Sequence, residues 1–309
     1  MPDPIFATIS GDKMGFSRQG CEFLFHIRKR YGIAWGSTLT LGRQQMFISP
    51  KEARAMAESF ALPFALKEDW RSGTGYCEPF ISALGAGTID SMDASDYEDA
   101  TIIHDLNVPV SAELHGKYDC IIDGGTIEHV FHFPNAIRSC MDMLAPGGHY
   151  IGITPADNQM GHGFYQFSPE LYFRIFVPAN GFEVRTMLLQ TPSEWLEIRD
   201  PEVVGHRGTL TSSTPLMLAI LARKTSSSSS EFHIPQQSDY QNAWSIVESI
   251  RSDSKREGES TIRHMVRKHV PVPLKTMLRK VVRSFSPKLG VDGLRRVDRD
   301  SYRRIRIQD

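Results

Sequence analysis

Residues 118–155 read YDCIIDGGTIEHVFHFPNAIRSCMDMLAPGGHYIGITP. The run 118–122 is short, apolar and β-branched, as a strand buried on both faces of a parallel sheet requires. Asp123, Gly124 and Gly125 then turn the chain sharply, and Thr126, Ile127, Glu128, His129 and Val130 follow at the strand's carboxyl end. In open α/β sheets the ligand crevice lies outside that end. Pro134 starts a helix on which Ile137, Cys140, Met141 and Leu144 recur at helical spacing, and Pro146-Gly147-Gly148 breaks it before a strand at 149–154. The stretch is a β-α-β unit with a polar turn where ligands bind.

The same alternation extends in both directions. Further strands are expected at 38–41, 88–92, 101–104, 183–189 and 216–222, which with 118–122 and 149–154 make seven. Ser49 and Pro50 supply an N-cap and a first helical residue for a helix over 51–60. About 45 residues separate Gly42 from the second strand, against a dozen or more for a simple crossover, so an extra helical element belongs there. A Ser/Thr tract at 225–230 ends the pattern as a flexible linker. The expected architecture is an N-terminal helical segment (1–35), a doubly wound, mostly parallel seven-stranded α/β domain (36–224), and a Ser-rich linker with a basic helical tail (225–309).

With 309 residues, 40% of them hydrophobic, the chain buries a sizeable core, which excludes a disordered or fibrous protein. Its net charge of -1 conceals an asymmetry, because residues 251–309 hold 17 Lys+Arg against 7 Asp+Glu and leave an acidic body. Within that basic segment Leu274, Met277, Leu278, Val281, Val282 and Phe285 fall on one helical face, with Lys275, Arg279, Lys280 and Arg283 on the other. Such a helix suits an anionic membrane surface or the acidic body itself. Nucleic acid is not the expected partner, since no interleaved aromatic and basic pattern appears. Cys21, Cys77, Cys120 and Cys140 lie far apart and read as buried thiols in a reducing compartment. With neither a basic n-region nor an apolar run of about 18 residues, a cytoplasmic location is expected, with membrane contact only peripheral.

Ile127-Glu128-His129-Val130, Leu144-Ala145-Pro146-Gly147-Gly148 and Thr154-Pro155, in this order and spacing, resemble the class I S-adenosylmethionine-dependent methyltransferases. Phe167-Ser168-Pro169-Glu170-Leu171, Asn180-Gly181-Phe182-Glu183-Val184 and the run 216–224 extend the resemblance over roughly residues 36–224. It implies S-adenosyl-L-methionine as cofactor, methyl transfer as activity and a Rossmann-like fold. The family's first strand commonly leads into an acidic residue and a Gly-x-Gly loop; here Leu41-Gly42-Arg43-Gln44 carries one glycine and a basic residue. Arg43 either pairs with the cofactor's carboxylate or occupies its place.

The resemblance implies cofactor contacts from Gly42, Arg43, Asp93, Asp105, Asp123 and Gly124. Asp93 would accept from ribose hydroxyls at the end of the second strand, and Asp105 would meet the adenine amino group. Asp90 reads as a solvated carboxylate, and both Asp93 and Asp105 are also good turn formers. His129 is the candidate general base, with a structural histidine as the alternative. Glu128, His162, Tyr165 and Gln166 are the candidate acceptor-binding residues, the last three from a loop rich in amides and aromatics that suits a small or saccharide-like hydroxyl compound. A mixed nitrogen–oxygen metal site can be drawn from His129, His132, Glu128, Asp123 and His162, but no recognised ligand spacing is met and no metal is expected. The leading expectation is an O-methyltransferase. The alternative is a non-catalytic binding or scaffold protein on the same fold, which rests on the Gly42-Arg43-Gln44 departure. A nucleic-acid methyltransferase is disfavoured by the acidic body and by the lack of an Asn/Asp-Pro-Pro-Tyr motif.

Overall fold

A computed structural model of the chain describes residues 15–226, 232–241, 244 and 294–309. The chain opens with a short strand β1 (Gly15–Phe16) and helix α1 (Arg18–Tyr31). Ser17 caps α1 by accepting from the Gly20 N–H, and Gly32 ends it in the left-handed region at φ 58°. The first long strand, β2 (Ser37–Leu41), follows, then β3 (Gln45–Met46), α2 (Pro50–Ser59) and α3 (Glu78–Leu84). Ser49 and Glu52 form a reciprocal capping box on α2, with Pro50 in its first turn. These two helices fill the long connection between the first two main strands.

Next come β4 (Thr88–Asp93), β5 (Ile102–Ile103), β6 (Tyr118–Asp123), α4 (Phe133–Met143), β7 (Leu144–Asp157), α5 (Pro169–Ile175), β8 (Phe182–Gln190) and β9 (Trp195–Ile198). The described chain closes with α6 (Pro201–Val204), β10 (Leu210–Ser212), β11 (Leu216–Lys224), β12 (Leu294–Val297) and β13 (Tyr302–Ile305). The main sheet runs β13-β9-β8-β11-β7-β6-β2-β4-β5. Strands β5, β4, β2, β6 and β7 are parallel neighbours, whereas β11 is antiparallel to both β7 and β8. The chain enters at β2, winds outward through β4 and β5, then returns to β6 on the other side. The fold is thus a doubly wound α/β sheet whose strand order reverses between β2 and β6.

Strand side chains alternate between two cores. Leu218, Ile220 and Ala222 of β11 join Ala136, Ile137, Cys140 and Met141 of α4 on one face. Ala219 and Leu221 join Phe23, Leu24 and Ile27 of α1 and Phe80 of α3 on the other. Lys224, almost fully buried, donates from Nζ to the carbonyls of Met141 (2.7 Å) and Leu144 (2.8 Å) and so closes the carboxyl end of α4. All four cysteines are free and buried, and burial pushes the Cys120 thiol up. Among the described residues no helix is long and apolar enough to cross a membrane.

Two expectations need correction. Among the described residues the main sheet has nine strands, not seven, because β9 and β13 extend its antiparallel edge. Residues 294–309 are not helical tail: Tyr302, Arg303, Arg304 and Ile305 pair antiparallel with Ile198, Glu197, Leu196 and Trp195. The ion pairs Arg303–Glu197 and Arg304–Glu194 reinforce that edge, so the final basic residues belong to the acidic body. The basic amphipathic pattern at 274–285 lies outside the described residues.

Candidate functional site

The reversal of strand order puts the carboxyl ends of β2, β4 and β6 side by side. Gly42, directly after β2, has φ +68° and donates its N–H to the Met92 carbonyl at 2.7 Å. A Cβ on Gly42 would stand 3.1 Å from Thr126 Oγ1, 3.2 Å from Gln44 Nε2 and 3.9 Å from Asp93 Oδ2. Only glycine meets both the dihedral and the space without strain. The side chains of Thr126 and Asp93 therefore converge on the backbone at Gly42. Asp93 is half-buried, and its Oδ1 accepts from the Ser95 N–H at 3.1 Å.

Arg43 does not point its fork at this crevice. Its Nε donates to Glu78 Oε1 at 2.7 Å, its Nη1 to the Glu98 carbonyl at 3.0 Å, and its guanidinium lies 4.1 Å from the Tyr76 ring centre. It thereby ties the loop after β4 to the start of α3. Gln44, which the sequence reading passed over, is the residue turned inward. Its Nε2 donates to the Leu41 carbonyl at 2.5 Å, while its buried Oε1 receives no hydrogen bond. Gly124 is the matching surface, because a Cβ there would lie 2.7 Å from that Oε1.

Asp123 is wholly buried at the end of β6. Its Oδ1 accepts from the N–H groups of Thr126 (2.9 Å) and Ile127 (3.3 Å), and its Oδ2 from the Tyr150 hydroxyl (3.0 Å). Burial, and secondly the negative charge of Glu128, push its carboxyl up to about 7. Asp123 thus shapes the turn that presents residues 126–129 and has no oxygen turned outward. Thr126 completes the lock by donating from Oγ1 to the Leu41 carbonyl at 2.7 Å. Asp105 is exposed and accepts from the Asn107 N–H (2.9 Å) and Nδ2 (2.8 Å), the turn-forming geometry that Asp readily adopts.

Glu128 and His129 sit on a single 3₁₀ turn, Ile127–His129. The Glu128 side chain has no solvent exposure, and neither of its carboxylate oxygens receives a hydrogen bond. His162 Nε2 lies 3.3 Å from Glu128 Oε1, and the His129 and His162 rings meet edge to face with centres 5.1 Å apart. One ligand atom from each of Glu128, His129 and His162 falls within 4.8 Å of the other two. The loop after β7 returns there because the Glu128 carbonyl accepts from the N–H groups of Phe164 (2.9 Å) and Tyr165 (3.3 Å). His132 takes no part. It precedes α4, where its N–H donates to Asn107 Oδ1.

Of the four candidate acceptor-binding residues, Glu128 and His162 come together. The other two spend their polar atoms on the loop itself. The Tyr165 hydroxyl donates to the Phe131 carbonyl at 2.6 Å, and Gln166 Oε1 accepts from the Gln159 N–H at 2.8 Å. Phe131 and Phe164, which were not singled out in the sequence, are 66% and 67% exposed and form an edge-to-face pair beside the histidines. Exposed aromatic rings on a loop beside a polar cluster were the only signal for them. A separate concavity of about 610 Å³, lined by His26, Arg30, Tyr31, Glu194 and Arg304 among others, lies where β13 docks; it is remote from these strand ends.

No protein-family model matches the sequence, and no curated protein matches it. Among solved structures the chain is similar to an S-adenosylmethionine-dependent methyltransferase from Mesorhizobium loti, at 13% identity and TM-score 0.38, over 66% of this chain and 97% of that one. It is also similar to the 1,6-didemethyltoxoflavin-N1-methyltransferase of Burkholderia thailandensis with bound S-adenosylhomocysteine, at 9% identity and TM-score 0.34, over 68% and 80% of the two chains. A third likeness is to the branched-chain polyamine synthase of Thermus thermophilus, at 10% identity and TM-score 0.36, over 74% and 62%.

Proposed function

We propose that the chain is an S-adenosylmethionine-dependent methyltransferase acting on an oxygen of a small or saccharide-like acceptor. The observation that carries this reading is the crevice at the strand-order reversal. There a glycine at φ +68°, the Asp93 carboxylate and the unsatisfied Gln44 carbonyl adjoin one another. Open α/β sheets bind their ligands at this position, and a carboxylate at the end of the second strand suits ribose hydroxyls. A buried acceptor without a donor costs roughly 1–3 kcal/mol, and the cofactor's ammonium group is a donor that would satisfy Gln44.

When bound, the cofactor supplies an electrophilic methyl group. The chain's own part is to align the acceptor and to receive its proton. In-line displacement rewards alignment above all. Phe131 and Phe164 offer ring faces to the acceptor, and His129 at the mouth takes the hydroxyl proton. Asp105 is assigned to the adenine edge through its outer carboxylate oxygen. Arg43, Asp123 and Gly124 hold the crevice walls without touching the cofactor.

Calorimetric titration with S-adenosylhomocysteine tests the reading. Micromolar binding that Asp93→Ala abolishes supports it. No heat with folded wild-type protein overturns it and leaves a non-catalytic binding protein. The basic pattern at 274–285 is assigned a peripheral contact with anionic membrane. Liposome flotation that is equal for wild type and for a variant with Lys275, Arg279, Lys280 and Arg283 changed to Gln removes that assignment.

A further inference from the structure

We infer that Glu128, His129 and His162 form a binding site for one divalent transition-metal ion. A carboxylate removed from water costs several kcal/mol unless it is paired and hydrogen-bonded, and that of Glu128 has no exposure and no hydrogen bond to either oxygen. Asp123 makes the burden heavier, since its carboxyl and that of Glu128 share one buried region. His162 Nε2 lies 3.3 Å from Glu128 Oε1.

The geometry around Glu128 confines what can approach it. A Cβ at Gly125 would come within 3.2 Å of Oε1, and one at Gly163 within 3.1 Å of Cγ. The backbone on both sides is thus drawn in around the carboxylate, and a nitrogen of each imidazole lies within 4.8 Å of one of its oxygens. Three donor atoms of one oxygen and two nitrogens lie within 4.8 Å of one another. Metal–ligand bonds of about 2.0–2.2 Å bring such atoms closer than this, a contraction that rotation of the exposed His129 and the loop-borne His162 supplies. Two imidazoles and one carboxylate with open positions on one side select a first-row divalent ion such as Zn²⁺, Co²⁺, Mn²⁺ or Fe²⁺ over Mg²⁺ or Ca²⁺.

Metal binding stands independently of methyl transfer. Its consequence for catalysis rests on the methyltransferase reading: an ion there would hold an acceptor hydroxyl and lower its pKa, a role that displaces His129 as proton acceptor.

The test uses the full chain, stripped with a chelator and titrated with Co²⁺ without any nucleoside, and reads the visible d–d absorption. His206, Asp298 and Asp300 form a second, largely exposed cluster of metal-binding residue types, so His206→Ala is the control. The expected result is one ion per chain, displaced by Zn²⁺. Its affinity should fall by at least about tenfold in His162→Ala and in His129→Ala and be unchanged in His206→Ala. No absorption change in wild type, an ion that both active-site substitutions retain, or one that His206→Ala removes would each overturn the assignment. Neither histidine side chain is fully buried, so these variants leave the core intact. Absence of Co²⁺ binding in the wild-type chain while S-adenosylhomocysteine still binds would refute the metal site alone, and Co²⁺ binding without S-adenosylhomocysteine binding would refute only the cofactor reading.

Discussion

His162 Nε2 stands 3.3 Å from Glu128 Oε1 although helix α4, strand β7 and part of a loop separate the two residues in the chain. The contact exists because the Glu128 carbonyl accepts from Phe164 and Tyr165, which folds the loop after β7 back over the turn after β6. Polar groups from two consecutive βα connections therefore face one space beside the Gly42–Asp93 crevice.

Arg43 decides whether the unusual first loop excludes the cofactor. Because its guanidinium is committed to Glu78, Glu98 and Tyr76, Arg43→Ala should cost about 1 kcal/mol of stability and lower affinity for S-adenosylhomocysteine by less than about tenfold. Chemical denaturation and calorimetry on one preparation measure both. A gain in affinity would mean that Arg43 blocks the site.

Gly124 should tolerate no side chain while Gln44 is present. The added Cβ would fall 2.7 Å from Gln44 Oε1 and 2.9 Å from its Cδ, and overpacking of this kind costs about 1–3 kcal/mol. Shortening Gln44 to Ala should recover part of the loss in the double variant. A double-mutant cycle in urea reads the coupling, and strictly additive losses would refute the contact.

These residues mark where the sequence was legible and where it was not. The β-α-β run at 118–155 announced itself through local signals: an apolar strand, a glycine turn, and Pro134 before a helical stripe. The Ser49–Pro50 start of α2 was equally local. The pairing of 302–305 with 195–198 was invisible because strand pairing across about a hundred residues leaves no local trace, and a run of arginines reads as a solvated tail. The inward turn of Gln44 and the outward turn of Arg43 depend on Tyr76, Glu78 and Glu98, contributed by distant segments. The meeting of Glu128 with His162 likewise follows from a loop's return path, which carries no periodicity.

His149 gives a pH prediction with a defined sign. Burial, then Arg223 and Arg185, pull its imidazole down to about 4 from 6.5, and its Nδ1 is buried without a hydrogen bond. Above pH 6.5 the folded and unfolded chains both hold it neutral. As pH falls from 6.5 toward 4 only the unfolded chain takes up the proton, so stability drops, by about 3 kcal/mol across that window if no other group titrates. His149→Gln should flatten the acid limb of the melting temperature between these values; an unchanged limb would contradict the assignment.

Lys224 closes α4 by donating to the carbonyls of Met141 and Leu144. Lys224→Met keeps the apolar stem but removes both donors, and should cost roughly 1–3 kcal/mol. Thermal denaturation checks this, and a midpoint equal to wild type would mean that water replaces the ammonium.

The proposed cofactor site is the strand-order reversal between β2 and β6. Hydrogen–deuterium exchange of the full chain with and without S-adenosylhomocysteine tests this location most directly. Slowed exchange confined to peptides covering residues 41–45, 93–99, 103–107 and 123–129 is the predicted result. Unchanged exchange at all four under saturating ligand, or protection centred instead on the concavity between α1 and β13, would contradict it.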